Sequence, residues 1–249
     1  MPLAALDKKI WHKLKKNKMK KTIVSVAIIA TSISMLHFDA KAQEGFQLGI
    51  EGTPQMSWVM NKDDQKNTLF EEVKTYNGSC GISLGFGFSK NWGIGLSTIY
   101  SMQGQRFKFN GVEQYKKLDY VKIPLMLVYC NEINSNWVFL GKIGPQIDLL
   151  MKAKLTDKDG NNIVSDQMNA YENFDIAGMV SAGFGLKLTE MLSLDASARY
   201  DYGFSDAENK DYKKNINHPN GAIITTRAMS FNSTAGLTIG LRYLFKKIK

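Results

Sequence analysis

The chain has 249 residues, a net charge of +9 and a pI of about 9.3. Residues 1–42 contain nine Lys and two Asp, so they carry +7 of this charge and leave +2 for the rest. The basic balance therefore does not indicate a nucleic-acid-binding protein, and the remaining 207 residues fit one domain. After residue 42 no apolar stretch approaches the roughly 20 residues of a transmembrane helix.

Residues 1–42 have the three parts of a secretory signal peptide. A lysine-rich start is followed by an apolar run over 22–36 and by an A-x-A cleavage motif at 40–42. The residues after 18 would be a sufficient signal by themselves, so residues 1–18 are interpreted as an extension from a wrongly chosen start codon. The sequence predicts Sec-type export and a mature domain over 43–249.

The mature segment opens with nearly unbroken alternation of apolar and polar residues. Even positions from Phe46 to Met60 are apolar, and odd positions from Gln47 to Ser57 are polar or small. This period of two is typical of a strand with two unlike faces. The pattern returns seven more times, so the predicted strands cover 46–60, 75–89, 92–103, 120–129, 137–151, 174–188, 192–202 and 229–245.

The fourth strand, 120–129, is an apolar run with a single charge, Lys122. Its length matches the roughly 9–11 residues of a tilted transmembrane strand. A lysine facing lipid near the bilayer midplane costs on the order of 2–4 kcal/mol, so Lys122 should face the interior and Val121 the lipid. Pro124 cannot donate to the sheet, which predicts a bulge or irregular pairing beside it.

The connections between strands alternate in length, as in an up-and-down meander. Short periplasmic turns and long extracellular loops are typical of outer-membrane barrels, and an even strand count places both termini on the periplasmic side. The predicted short turns are 90–91, 130–136 and 189–190, and the long loops are 61–74, 104–117, 153–173 and 205–226.

The composition of the two faces predicts an all-β fold, an eight-stranded antiparallel transmembrane β-barrel. Rows of Gly, Ser and charged residues cannot fill a dry core, whereas closing the sheet with its apolar rows on lipid pairs every backbone group. A secreted soluble β-sandwich is the alternative. Outward aromatic residues near the strand ends predict two girdles, formed by Phe46, Trp58, Tyr76, Phe88, Trp92, Tyr100, Trp137, Tyr202, Tyr243 and Phe245, with Tyr120 and Tyr171 also in the upper one.

Charged residues at inward positions predict a lumenal charge network. An eight-stranded barrel is only wide enough for side chains to fill, which favours a paired plug over a conducting path. A narrow channel for ions or small solutes is the alternative. The ten predicted members are Glu51, Lys122, Lys142, Asp148, Asp175, Lys187, Asp195, Arg199, Asp201 and Arg242.

The sequence predicts no catalytic residue, no cofactor and no metal site. His218 is the one histidine after residue 42, and it lies beside a turn sequence, so an enzyme that modifies lipids around it is the third hypothesis. Asp157 to Asn162 starts like a calcium loop, but Met168 occupies the position of the required Glu, so a turn is expected. Cys80 and Cys130 are expected to be too far apart for a disulfide.

Two segments resemble a known family. Tyr120 to Tyr129 reads YVKIPLMLVY and residues 139–154 read FLGKIGPQIDLLMKAK, with Y-S-x-x-G at 100–104 and a final LRYLF. These motifs are similar to those of the PorT-like outer-membrane β-barrel family of the Bacteroides–Flavobacterium group. The resemblance implies an integral outer-membrane barrel. Most members are uncharacterised, and the name-giving member assists a gliding-linked secretion system.

Together these observations predict a monomeric, non-enzymatic protein of the bacterial outer membrane. It is expected to have a structural or accessory role through its extracellular loops. The expected partners are outer-membrane lipids, including lipopolysaccharide, and an envelope protein that contacts the loops, but no nucleic acid.

Overall fold

The structure, a computed structural model, describes residues 45–109, 111–209 and 228–245. The signal-peptide prediction and His218 lie outside these ranges. The described part contains a short helix α1, Lys62–Lys66, and a 3₁₀ turn, Met168–Ala170. Its strands are β1 Gly45–Asn61, β2 Phe70–Val73, β3 Tyr76–Gly87, β4 Trp92–Phe109, β5 Val112–Glu132, β6 Trp137–Asp157, β7 Asn162–Val164, β8 Phe174–Lys187, β9 Leu192–Gly203 and β10 Ser230–Phe245.

Eight of these strands close into a barrel. The antiparallel order is β4-β3-β1-β10-β9-β8-β6-β5, and β5 pairs in turn with β4. The first and last strands meet through pairs such as Phe46 with Phe245. Closure satisfies the backbone groups that an open sheet would leave at its edges. The predicted eight-stranded up-and-down barrel is therefore confirmed.

None of the helices in the described ranges is long and apolar enough to cross a membrane.

The two faces of the wall follow the predicted alternation. On β1, Gln55 faces the lumen and is 6% exposed, whereas Ile50 faces outward and is 58% exposed. Lys122 is buried in the lumen, and Leu125 on the same strand is exposed on the outside. Cys80 is exposed on the outer face, while Cys130 is buried. At these positions residue parity therefore determines which side chains meet the lumen.

All ten residues of the predicted girdles point outward. Seven are exposed, while Phe46, Trp58 and Tyr202 are half-buried against their neighbours. On the periplasmic side the rings form a chain, with centroid distances of 4.9 Å from Trp92 to Tyr129 and 6.4 Å from Tyr129 to Phe139. The additional assignment of Tyr120 and Tyr171 to the upper girdle is wrong. Both face the interior, because Tyr120 has the same parity as Lys122 and Tyr171 belongs to a loop that folds inward.

The extracellular connections contain more strand than predicted. Residues 104–117 are mostly a hairpin, because β4 and β5 remain paired from Gly104 with Lys117 up to Phe109 with Val112. The region 61–74 contains α1 and β2, and β6 continues to Asp157. Polar side chains did not prevent pairing, since above the bilayer an exposed strand face can be solvated. The signal for the hairpin was the Asn-Gly pair at 110–111, with Gly111 at φ 78°.

Pro124 does not shift the strand register, so there is no bulge beside it, but the alternative prediction of irregular pairing is confirmed, because the pairing with β4 lapses at Ile123 and Pro124. The pairing with β6 has the same register on both sides, from Pro124 with Gln146 to Leu127 with Ile143. The bulge occurs higher in the wall, where Asp119 pairs with Lys152 but Tyr120 pairs with Leu150. The extra residue is therefore in β6, at position 151.

Candidate functional site: the barrel lumen

Lys122 lies in the middle of the lumen with 2% of its surface exposed. Its ammonium donates to Asp201 Oδ2 at 2.7 Å and to Thr234 Oγ1 at 3.1 Å. The Thr234 hydroxyl in turn donates to the same Asp201 oxygen at 3.0 Å. Because β5 and β9 are separated by β6 and β8 around the wall, this ion pair spans the lumen.

Arg199 extends the ion pair toward other strands. Its Nε donates to Asp201 Oδ1 at 2.8 Å and its Nη2 to Gln146 Oε1 at 2.8 Å. Glu51 lies 3.7 Å from Nη1, and Gln146 Nε2 donates to Asp148 Oδ1 at 2.8 Å. The strands β1, β5, β6, β9 and β10 are thereby joined through one buried group. We call it the central network: Glu51, Lys122, Gln146, Asp148, Arg199, Asp201 and Thr234.

A second charged group lies nearer the periplasmic turns. Arg242 donates to both carboxylate oxygens of Asp195, at 2.9 and 3.3 Å, and to Gln47 Oε1 at 3.1 Å. Below it, a cavity of about 440 Å³ is lined by Gln47, Arg242, Ser193 and Lys187. We call this cavity the periplasmic vestibule. The vestibule is bordered by Arg242 on its inner side, so the Asp195–Arg242 pair lies between it and the central network.

The remaining predicted members are separate from these two groups. Lys187 pairs with Glu132 at the periplasmic rim. Lys142 has no ion-pair partner among the described residues, and Asp175 accepts a hydrogen bond from the Ser205 hydroxyl instead of pairing with a base. The expected single network is divided because its members lie at different heights, and each residue along a strand adds about 3.3 Å.

An apolar layer covers the extracellular end of the lumen. Ala170 and Tyr171 fold inward from the loop after β7, where Gln167 N donates to Ala153 O at 3.0 Å and Asn209 N to Ala170 O at 2.9 Å. The Tyr120 hydroxyl accepts a bond from Asn232 Nδ2 at 2.9 Å beneath this layer. We call the layer the apolar roof: Val59, Leu118, Tyr120, Leu150, Ala153, Ala170 and Tyr171.

Sequence reasoning missed the neutral members of this site. Gln146 and Thr234 have the inward parity, but a search for charges does not select an amide or a hydroxyl. The roof was missed because Ala170 and Tyr171 belong to a loop, where residue parity predicts no direction. The available signal for an apolar layer was a set of apolar residues at inward positions near the extracellular ends of β1, β5 and β6, namely Val59, Leu118 and Leu150.

Residues 157–162 form a turn, as expected. Asp157 Oδ1 accepts from the backbone N–H groups of Asp159 and Asn161, and Asn161 Nδ2 donates to Asp157 Oδ2 at 3.0 Å. The bonds from Asn161 hold the pKa of the Asp157 carboxyl below its ordinary value. In the described ranges, no group of three or more His, Cys, Asp or Glu side chains could hold a metal ion.

The closed wall, its apolar outer face and its polar lumen define an outer-membrane β-barrel. The chain matches the family described as outer membrane protein beta-barrel domain over residues 40–209, and it belongs to this family. The protein is therefore located in the bacterial outer membrane. No curated protein matches the sequence.

Solved structures with the same fold include OprG from Pseudomonas aeruginosa, with a TM-score of 0.50, 13% identity and coverage of 82% of this chain and 98% of that chain. Neisserial surface protein A gives a TM-score of 0.48, 14% identity and coverage of 81% and 98%. The outer-membrane protease OmpT from Escherichia coli gives 0.40, 8% identity and coverage of 84% and 99%. At 13% identity the similarity to OprG shows the fold alone.

Proposed function

We propose that this outer-membrane protein is a monomeric, non-enzymatic barrel with a plugged lumen and a structural or accessory role through its extracellular segments. The observation that carries the proposal is the central network beneath the apolar roof. Lys122 and Asp201, which are 2% and 4% exposed, connect β5 and β9 across the lumen. An eight-stranded barrel is only wide enough for side chains to fill, so side chains that join five strands across it support a plugged lumen.

Within the outer-membrane β-barrel family we propose a PorT-like assignment. Its support is the motif over 120–129 and the following motif over 139–154, which are adjacent strands in the structure. The Y-S-x-x-G motif ends at Gly104, whose φ is 130° and whose Cβ position would be 1.8 Å from Lys116 O. That position therefore requires glycine.

Single-channel recording in planar bilayers tests the plug. The purified protein is expected to give no sustained, ion-selective current steps, while a water-filled porin under the same conditions provides the positive control. Sustained steps would contradict the plugged lumen.

The periplasmic vestibule is the observation that favours a narrow channel as the second candidate function. If the barrel is a channel, Arg242→Ala, which removes a charge bordering the vestibule, should change the ion selectivity of the current. If the barrel is plugged, neither the wild type nor this variant should conduct ions. Lys62→Ala, which removes an exposed cation of helix α1 outside the vestibule lining, is the matched control.

The extracellular role is supported by the hairpin of β4 and β5 beyond Gly104. The rings of Phe70 and Phe107 are stacked at 5.1 Å, and Lys108 donates to Glu71 at 3.1 Å, so β2 braces the hairpin. A braced projection is suited to contact an envelope protein. Cross-linking in native membranes should capture a partner with wild type and lose it when residues 107–114, between the paired Arg106 and Tyr115, are replaced by a two-residue turn. A partner retained by the shortened chain would contradict the proposal.

The non-enzymatic part is tested by comparing lipid A from a deletion strain, a wild-type strain and a His218→Ala strain. Identical lipid A profiles are expected. A modification that disappears in both the deletion and the His218→Ala strains would favour the lipid-modifying enzyme instead.

A further inference from the structure

The outer face of the barrel carries four cations just above its apolar belt. Arg106 on β4, Lys117 on β5 and Lys152 and Lys154 on β6 lie on neighbouring strands. Lys117 pairs in register with Lys154, and Lys152 with Asp119. We call this group the outer basic patch. It is separate from the lumen and from the hairpin tip.

The bulge in β6 creates half of the patch. Below it, even positions such as Gln146 and Asp148 face the lumen, but the extra residue Met151 reverses the parity. Met151 is 51% exposed and the next residue, Lys152, is also exposed. Lys152 and Lys154 therefore face outward, where an unbulged strand would have directed them into the lumen. Bulges commonly redirect side chains in this way at functional sites.

The patch has an excess of positive charge. Among the described residues of β4, β5 and β6 that lie between the levels of Met102 and Arg106, the one acid is Asp119. Its carboxylate accepts a hydrogen bond from the Tyr100 hydroxyl at 2.8 Å and lies 3.9 Å from the Lys152 ammonium. Like charges directly opposite on adjacent strands, as in Lys117 and Lys154, are destabilising without an anion between them.

Tyr115 organises the upper part of the patch. The guanidinium of Arg106 and the ammonium of Lys117 each form a cation–π contact with the Tyr115 ring, at 5.2 Å from its centre. These contacts hold two cations at defined positions on the outer surface. They leave the N–H groups of both residues available to an acceptor.

The height of the patch identifies its occupant. Met102 and Met151, 46% and 51% exposed, are outward apolar residues at or next to the Asp119 level, where the patch begins. In an outer-membrane barrel the level just above the apolar belt is that of the lipid headgroups. We propose that the outer basic patch binds the phosphate groups of a phosphorylated glycolipid in the outer leaflet. This proposal does not depend on whether the lumen is plugged.

The test uses the full mature barrel in phosphatidylcholine vesicles that contain lipid A with both phosphates or enzymatically dephosphorylated lipid A. Each lysine near an anionic membrane surface strengthens binding roughly five-fold. Because it removes two lysines, Lys117→Gln/Lys154→Gln should weaken the binding of phosphorylated lipid A about 25-fold. Lys62→Gln/Lys158→Gln removes the same charge elsewhere on the extracellular side and should retain wild-type binding.

Thermal unfolding keeps the proposal falsifiable if binding is hard to quantify. In neutral detergent the Lys154→Gln variant, which keeps the contact of Lys117 with the Tyr115 ring, should have a Tm equal to or above that of wild type, and with phosphorylated lipid A the order should reverse. An unchanged order, an equal effect of dephosphorylated lipid A, or the same stabilisation by free inorganic phosphate would each overturn it.

Discussion

Two lysines five residues apart on β5 have opposite environments. Lys122 faces the lumen, is 2% exposed and pairs with Asp201, whereas Lys117 faces outward and lies opposite another lysine. The difference of five residues, an odd number, places them on opposite faces of the wall. A buried lysine requires a dedicated carboxylate, while an outward lysine at the membrane boundary can exchange partners with solvent and lipid. The same residue type therefore stabilises the barrel at one position and places a positive charge on its outer surface at the other.

The largest expected effect is that of removing the lumenal lysine. Lys122→Ala leaves Asp201 buried with Arg199 as its remaining cation and should lower the free energy of unfolding by about 3–5 kcal/mol. Urea unfolding in lipid vesicles measures it. Lys142→Ala is the control, since this half-buried lumenal lysine has no ion-pair partner in the described ranges and should cost less than about 1 kcal/mol. Equal losses in both variants would contradict a specific role for the central network.

A smaller effect is expected two residues away, in the apolar roof. Tyr120→Phe keeps the ring but removes the acceptor for Asn232, and should cost about 1 kcal/mol in the same urea assay. Tyr76→Phe, at a site that is 70% exposed on the outer face, should leave the stability unchanged. If the two variants were equally stable, the hydroxyl of Tyr120 would not contribute to the roof.

The rim pair should contribute less than the buried pair. Lys187 and Glu132 have side-chain exposures of 29% and 39%, so solvent screens their attraction. Lys187→Ala should lower stability by less than about 1 kcal/mol, and the difference should shrink when the salt concentration is raised. A loss as large as that of Lys122→Ala would show that exposure does not govern these pairs.

The smallest effect should have the opposite sign. In neutral detergent at low salt, Lys154→Gln should raise stability by a few tenths of a kcal/mol, because it relieves the repulsion from Lys117 and leaves the contact between Lys117 and the Tyr115 ring intact. Lys152→Gln is the matched control, since it removes the cation beside Asp119 and should not stabilise. Comparing the Tm of both variants at low and high salt measures the effect, and a stabilisation shared by both would argue against a pairwise origin.

Much of the site could be predicted because strand parity is a local property. The single charge in the run 120–129 was sufficient to place Lys122 inside, and the Lys–Asp composition of the lumen followed from the same rule. The parity rule failed at the bulge in β6, where one extra residue turns Lys152 and Lys154 outward. It also failed for Tyr171, since a loop residue has no strand period to indicate its direction.

The sequence by itself determined the number of strands, their two faces and the location of the protein in the outer membrane. These features depend on neighbours in the chain, through the period of two and the length of each apolar run. Only the tertiary structure decided that Lys122 meets Asp201, 79 residues away, and that the loop with Tyr171 covers the lumen. Contacts across a barrel depend on the register of every intervening strand pair, and a local sequence pattern does not determine these registers.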